Sequence, residues 1–236
     1  RVANTLNYLD IKTVVVSCGT CYDQLQGYQF DKVFPGCRII DIHEFLMEKG
    51  VQLEGVTGTR YLYHEPCHTP MKTYASNKVV NTLMNEAVNG KIERNDRCCG
   101  ESGTLAVSRP DISTQVRFRK EEEMRKGAQA LRALPIRAAS ATVAGETVAG
   151  AGAASADLSG AVSLSRPQTP PEVFDGPVKI LTSCPSCLQG LSRYEGDTGV
   201  QADYIVVEIA RHLLGENWMA DYVARANDGG IERVLV

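Results

Sequence analysis

Short apolar runs alternate along this chain with longer segments of helical period. Thr13–Ser17 (TVVVS), Arg60–His64 (RYLYH) and Val178–Ser183 (VKILTS) are continuous apolar stretches rich in β-branched or aromatic residues. Runs of that kind fill a sheet covered on both faces. KIER (91–94) is a shorter strand candidate. Between the strands, IIDIHEFLMEKG (39–50) predicts a helix with Ile39, Ile42 and Leu46 on one face and Gly50 as its stop. A second helix over 76–89 presents Val80, Leu83, Met84 and Val88, with Ser76 as N-cap and Gly90 as terminator. A third, over 110–134, turns Ile112, Val116 and Leu131 inward and RKEEEMRK (119–126) to solvent. ADYIVV leads into EIARHLLG as a strand-to-helix or all-helical stretch, ANTLNYL reads as a helix end, and GGIERVLV as a weak last strand. Strand–helix alternation predicts an α/β fold on parallel sheet.

Two departures from this rhythm organise the chain. Residues 135–177 are rich in Ala, Gly, Ser, Thr and Pro and nearly free of large apolar side chains before Phe174. Such a stretch buries too little surface to offset its ordering entropy and predicts a disordered insertion, which adds little closure cost to the flanking fold. The other departure is an internal repeat. TVVVSCGTCYDQLQGY (13–28) matches KILTSCPSCLQGLSRY (179–194), and IIDIHEFLM (39–47) matches VVEIARHLL (206–214). A duplication divides the chain into 1–56, the C-terminal part of a first repeat, and 57–236, a second repeat containing the insertion. The opening RVANTLNYLD, without Met or a secretory pattern, points to a missing leader or to a piece of a longer protein.

Composition changes the picture only at the cysteines. With 236 residues, 43% of them hydrophobic, the chain can bury a core; a net charge of −3 argues against a nucleic-acid partner. No run of about 18 apolar residues is present to span a membrane. Localisation is expected to be cytoplasmic, or peripheral at the inner face of the membrane. The eight cysteines are 18, 21, 37, 67, 98, 99, 184 and 187. In a reducing compartment clustered thiols serve more often as ligands or redox groups than as staples, and soft thiolates suit iron–sulfur clusters and zinc. Each cysteine element follows a predicted strand, and the carboxyl ends of parallel strands are where α/β folds build their sites. Adjacent cysteines in a regular strand point to opposite faces, but Gly100 after Cys98-Cys99 suggests an irregular turn that aims both sulfurs at one centre. Cys37 has no partner in the pattern and reads as a buried hydrophobe. His64 and His68 flank Cys67, either shaping the strand end or tuning a metal centre. His43 and His212 read as structural or exposed. Arg60, Lys72 and Arg97 either offset the charge of a cluster or lie on solvated surface, and Glu101 has no evident role.

The stretches YHEPCH (63–68), RCCGESGTL (97–105) and TSCPSC (182–187) resemble the cysteine-rich "CCG" family. That family includes one of the subunits of heterodisulfide reductase and the iron–sulfur subunits of glycolate oxidase, anaerobic glycerol-3-phosphate dehydrogenase and lactate-utilisation systems. VVVSCGTC (14–21) looks like the close of a first such domain. The resemblance implies a pseudo-duplicated α/β architecture and a 4Fe-4S cluster held by Cys67, Cys98, Cys99, Cys184 and Cys187. Cys18 and Cys21 would serve a first cluster if upstream cysteines complete it. It further implies electron transfer from a flavin-dependent 2-hydroxy-acid dehydrogenase to quinone or another acceptor. FAD would lie on a partner subunit or upstream domain, beside a second iron–sulfur domain, since no nucleotide-binding glycine loop occurs here. Two alternatives stand beside this: disulfide chemistry at the cluster, as in heterodisulfide reductase, and a structural zinc module. One departure from the family pattern is plain, in that 84 residues separate Cys99 from Cys184.

Overall fold

The structure, a computed structural model, describes residues 5, 8–34, 36–101, 105–135 and 174–229. Two parallel sheets hold the strands. The first pairs β1 (Thr13–Val16) with β2 (Arg38–Asp41), Thr13 opposite Arg38 and Val16 opposite Asp41. The second has the order β4-β3-β5-β6, made of β3 (Arg60–His64), β4 (Glu93–Arg94), β5 (Val178–Thr182) and β6 (Gln201–Tyr204). All its pairings are parallel, so its strands end at one edge. Helices α1 (Gly19–Gly27) and α2 (Ile42–Glu48) belong to the first unit. In the second unit are α3 (Ser76–Leu83), α4 (Pro110–Ala133), α5 (Pro185–Ser192), α6 (Ile205–Leu214) and α7 (Trp218–Asn227).

Apolar side chains alternate across the four-stranded sheet and build a core on each face. Tyr61, Tyr63 and Leu181 pack with Val79, Val80 and Leu83 of α3 and Ile205 and Ile209 of α6. Leu62, Val178 and Ile180 pack on the other face with Met124, Ala128 and Leu131 of α4 and with Leu191 of α5. That second face also takes in Cys99 and Cys187. The expected α/β fold with parallel sheet is therefore present.

Several sequence expectations change in detail. Ile39 lies in β2 rather than in a helix, which begins at Ile42, because Asp41 caps it by accepting the His43 N–H at 2.9 Å. The segment 76–89 is two helical pieces, α3 and a single turn at Glu86–Asn89, broken where Asn85 takes φ +56°. Ala75, not Ser76, is the N-cap; the Ser76 hydroxyl instead donates to Glu65 Oε1 at 2.7 Å. On α4 the buried stripe is Ser113, Lys120, Met124, Ala128 and Leu131, and Ile112 is exposed. Lys120 and Met124 of RKEEEMRK thus face the core, since helical period places them in line with Ala128 and Leu131. Cys37 is half-buried, not a core residue.

Both C-x-x-C units run strand, helix, strand, helix, with the motif at the start of the first helix. When they are matched at that motif, Arg38–Asp41 corresponds to Gln201–Tyr204. The sequence pairing of Ile39–Met47 with Val206–Leu214 is therefore out of register: Ile39 is in a strand and Val206 in a helix. Residues 136–173 of the insertion expected at 135–177, the last strand after Gly229 and most of ANTLNYL lie outside the described residues.

Arg60 explains how so long a stretch enters the sheet at one point. Its guanidinium donates to the carbonyls of Leu131, Leu134 (2.9 Å) and Pro135 (3.0 Å), on the near side of the insertion. The same group lies 4.1 Å over the Phe174 ring, on the far side, and the Arg60 N–H bonds the Pro177 carbonyl at 3.0 Å. One residue at the start of β3 thus holds both ends of the stretch together, so the distance along the chain between Cys99 and Cys184 does not separate them in space.

Candidate metal centre

The site lies at the carboxyl edge of the four-stranded sheet. Cys98-Cys99-Gly100 follows β4 as a turn in which Gly100 takes φ +79°, and the Gly100 N–H donates to Cys98 Sγ at 3.4 Å. The irregular turn expected from the sequence is thus formed. Cys184 is the N-cap of α5 and Cys187 lies in its first turn, immediately after β5. Gly190 lets this helix press against the turn: a Cβ there would come within 2.8 Å of Glu101 Cβ and 3.3 Å of the Cys99 carbonyl oxygen. Tyr194 adds a hydrogen bond from its hydroxyl to that carbonyl at 3.1 Å. Glu101, without a role in the sequence reading, is a fastener: it accepts from Arg193 of the α5 C-terminus at 2.6 Å and lies 3.8 Å from Arg117 of α4.

Four sulfurs form a continuous chain here, in the order Cys98, Cys99, Cys187, Cys184. Cys99 and Cys187 are both buried, with sulfurs 3.4 Å apart, too far for a disulfide. Hydrogen bonds from the Cys187 and Cys98 thiols hold the Cys99 thiol far below its usual range, against the opposing effect of burial. Cys98 is pushed up by its bond to Cys99 and by burial, and Cys187 by its bonds to Cys184 and Cys99. Cys184 comes down to about 6, through the Cys187 thiol and then the Cys187 and Ser186 backbone N–H groups at the helix start. Negative charge therefore concentrates on Cys99 and Cys184, a donor set that suits a soft cation. Cys67 stands apart. It is exposed, and it reaches the group only through its electrostatic effect on Cys98.

The surroundings also differ from the sequence expectation. Arg60, Lys72 and Arg97 are engaged elsewhere: Arg60 at the insertion ends, Lys72 with Asp23 at 3.2 Å, and Arg97 with the Arg119 carbonyl at 3.2 Å. The cation near Cys99 is Lys120, fully buried, whose Nζ donates to the Asn95 carbonyl and to Glu123 at 3.0 Å each, and to Asn95 Oδ1. Burial lowers its pKa, while Glu123 and the Cys99 charge raise it. Sequence reading hid Lys120 inside a charged run; the helical stripe through Met124 and Ala128 was the signal for it. His64 is 1% exposed, and one of its ring nitrogens lies with the Cys99 and Cys187 sulfurs inside a 4.8 Å group. His68 is exposed and pairs with Asp23 at 3.0 Å, His43 is buried against Asp41 at 2.8 Å, and His212 contacts Glu208 at 3.3 Å.

At the first C-x-x-C, Cys18 Sγ accepts from the Cys21 N–H at 3.4 Å and Cys21 is exposed. Among the described residues no third sulfur or imidazole joins this pair at metal-sharing distance.

The sulfur-rich, partly buried donor set fits an iron–sulfur cluster, and comparison with known proteins points the same way. A family model for the cysteine-rich domain (CCG) matches residues 61–134, and one for a domain of unknown function (DUF3400) matches residues 192–236. An uncharacterized iron–sulfur protein of Methanocaldococcus jannaschii is 30% identical over 112 residues, 47% of this chain and 22% of the relative. A similar protein of Methanococcus maripaludis is 26% identical over 116 residues, covering 48% and 23%. One subunit of the fumarate reductase (CoM/CoB) of Methanothermobacter marburgensis is 27% identical over 124 residues, covering 48% and 24%. The match thus spans about a quarter of the length of these relatives. No solved structure matches the chain. Residues 61–134, which carry Cys67 and the Cys98-Cys99-Gly100 turn, are thus the part of the chain that is similar to the cysteine-rich domain (CCG) family.

Proposed function

We propose that this chain is an iron–sulfur domain of a redox enzyme that carries electrons on a 4Fe-4S cluster. Cys67, Cys98, Cys99, Cys184 and Cys187 would hold the cluster. The observation that carries the reading is the run of four sulfurs at the carboxyl edge of one sheet, with Cys99 and Cys187 3.4 Å apart inside the core. Burial among apolar side chains shields a cluster from solvent, and buried Lys120 compensates its negative charge. Cys67 would close over the cluster from the exposed turn after β3. The proposed source of electrons is a flavin-dependent 2-hydroxy-acid dehydrogenase, with FAD on a partner subunit or an upstream domain, and the acceptor a quinone or another carrier. A relative described as one subunit of a fumarate reductase supports a place in a multi-subunit redox assembly. Residues 1–56 would be the close of a first repeat whose cluster, with Cys18 and Cys21 among its ligands, is completed by upstream cysteines. The proposed location is the cytoplasm or the inner face of the membrane; no helix among the described residues is long and apolar enough to cross one.

A second reading is thiol–disulfide chemistry at the same cluster, favoured by the Cys184 thiol, which the Cys187 thiol and the helix-start N–H groups bring down to about 6. Anaerobic preparation tests both. Iron and acid-labile sulfide in equal amounts, with visible absorbance bleached by reductant, are expected. Stoichiometric zinc without colour overturns both readings. Turnover of a disulfide with a reduced donor selects the second.

A further inference from the structure

We propose that His64 is itself a ligand of this centre, donating the lone pair of its Nε2 to the metal centre that Cys99 and Cys187 would hold. The proposal rests on the iron–sulfur reading above and goes beyond it, because it makes the donor set mixed rather than all-thiolate.

The sequence places His64 at the carboxyl end of β3, the strand next to β5, whose own end leads into Cys184 and Cys187. His64 pairs with Thr182 in that register, so its side chain starts at the sheet edge where the sulfurs collect. The imidazole is 1% exposed, and one ring nitrogen lies within 4.8 Å of both the Cys99 and the Cys187 sulfur. The two nitrogens have different partners. Nδ1 lies 3.3 Å from the Asn95 carbonyl oxygen, which only accepts, so Nδ1 carries the proton. In the neutral ring the remaining lone pair is then on Nε2, and Nε2 is buried with no hydrogen-bond partner. Leaving a buried acceptor unpaired is destabilising, and a bound metal ion would remove that cost. Asn95 is itself fixed, its carbonyl oxygen receiving the buried Lys120 ammonium at 3.0 Å as well. A ligating histidine whose other nitrogen is held by a carbonyl is the usual arrangement at protein metal sites.

Binding requires no redox step. Nε2 contributes a lone pair, Nδ1 keeps its proton on the Asn95 carbonyl, and Cys99 and Cys187 release any thiol proton to solvent as they bind. A neutral imidazole adds no negative charge to the cluster, so the potential lies higher than it would with a thiolate at the same place.

The test uses the full chain reconstituted anaerobically with ferrous iron and sulfide, from cells fed natural-abundance or 15N-labelled histidine. Of two cluster states one electron apart, one has an odd electron count and gives an EPR signal. In that state the wild-type cluster is expected to show the large hyperfine coupling of a directly bonded nitrogen, which changes with the 15N label. His64→Cys, which offers a thiolate at the same place, is expected to keep iron and sulfide, lose the nitrogen coupling and shift the midpoint potential downward. His64→Gln, which reaches a similar position with a polar amide but has no imidazole nitrogen, should also lose the coupling. A fully loaded wild-type cluster without a strong nitrogen coupling overturns the proposal, as does a coupling that persists in His64→Cys. A wild-type chain that binds no iron and sulfide overturns the iron–sulfur reading first, and this proposal with it.

Discussion

The two C-x-x-C units carry similar local sequence and end in different states. In the second, β5 is an interior strand, its neighbours β3 and β6 on either side, and every residue of it but Lys179 is buried. Its cysteines meet the Cys98-Cys99 turn, and Cys187 is part of the core. In the first, β1 pairs only with β2 among the described residues, and Val15 is exposed. Its Cys21 is also exposed, its thiol raised by the hydrogen bond with Cys18. The motif by itself therefore makes a helix start with two nearby sulfurs. Among the described residues, further donors join such a pair only at the second motif, where other strands end at the same edge. The first unit still acts on the second. Asp23 of α1 reaches His68 and Lys72, and the Tyr204 hydroxyl bonds the carbonyls of both Ser17 and Ser183, the residues before the two motifs.

Substitutions sharpen this contrast. The largest effect is expected at the sulfurs: Cys99→Ala and Cys187→Ala should abolish bound iron and sulfide, whereas Cys18→Ala and Cys21→Ala should leave the metal content of this chain unchanged. Measured iron that falls by half in the Cys18 variant would break the comparison. Next comes Gly19→Ala. A Cβ at Gly19 would meet the His68 carbonyl oxygen at 1.7 Å, a backbone contact that cannot yield locally. Denaturant unfolding should show a loss of about 1–3 kcal/mol, and a variant as stable as the parent would mean that the first unit does not hold the Cys67–His68 turn.

A comparable effect should appear with pH at Glu208, 1% exposed in its side chain, which the first unit does not reproduce in the same form. Burial alone would raise this carboxyl; Lys179 and the Tyr61 hydroxyl bring it down to about 2. Its folded pKa lies below its unfolded one, so its contribution is full above about pH 5 and disappears as pH falls toward 2, amounting to about 2–3 kcal/mol. Glu208→Gln should flatten the acid limb of the stability profile; an unchanged limb assigns acid unfolding to other carboxylates. The smallest change is Tyr204→Phe, which removes the hydroxyl shared by Ser17 and Ser183 and should cost about 1 kcal/mol with metal content retained. A loss of metal in that variant would show that the two units are coupled more tightly than their contacts suggest.

Much of this was legible in the chain. The runs at 13–17, 60–64 and 178–183 gave three of the strands; burial on both faces is the reason at 60–64 and 178–183, whereas β1 at 13–17 has no buried residue. The cysteine spacing and Gly100 marked the turn, because a residue with positive φ there calls for glycine. β2 was missed: Arg38-Ile39-Ile40-Asp41 is short and runs straight into a helix, and periodicity over so few residues does not separate strand from helix. Lys120 was misplaced because charge outweighed position in a run of charged residues.

What the sequence determined by itself was the set of strands, the soft donors and their placement just after strand ends. Those follow from local pattern and the chemistry of thiols. Only the tertiary structure decided which sulfurs meet, that Cys67 stays at the surface, that Arg60 gathers the ends of the long insertion, and that His64 and Lys120 share the core with Cys99. These depend on strand order and on helices approaching across a glycine, contacts between residues far apart in the chain that no local pattern encodes.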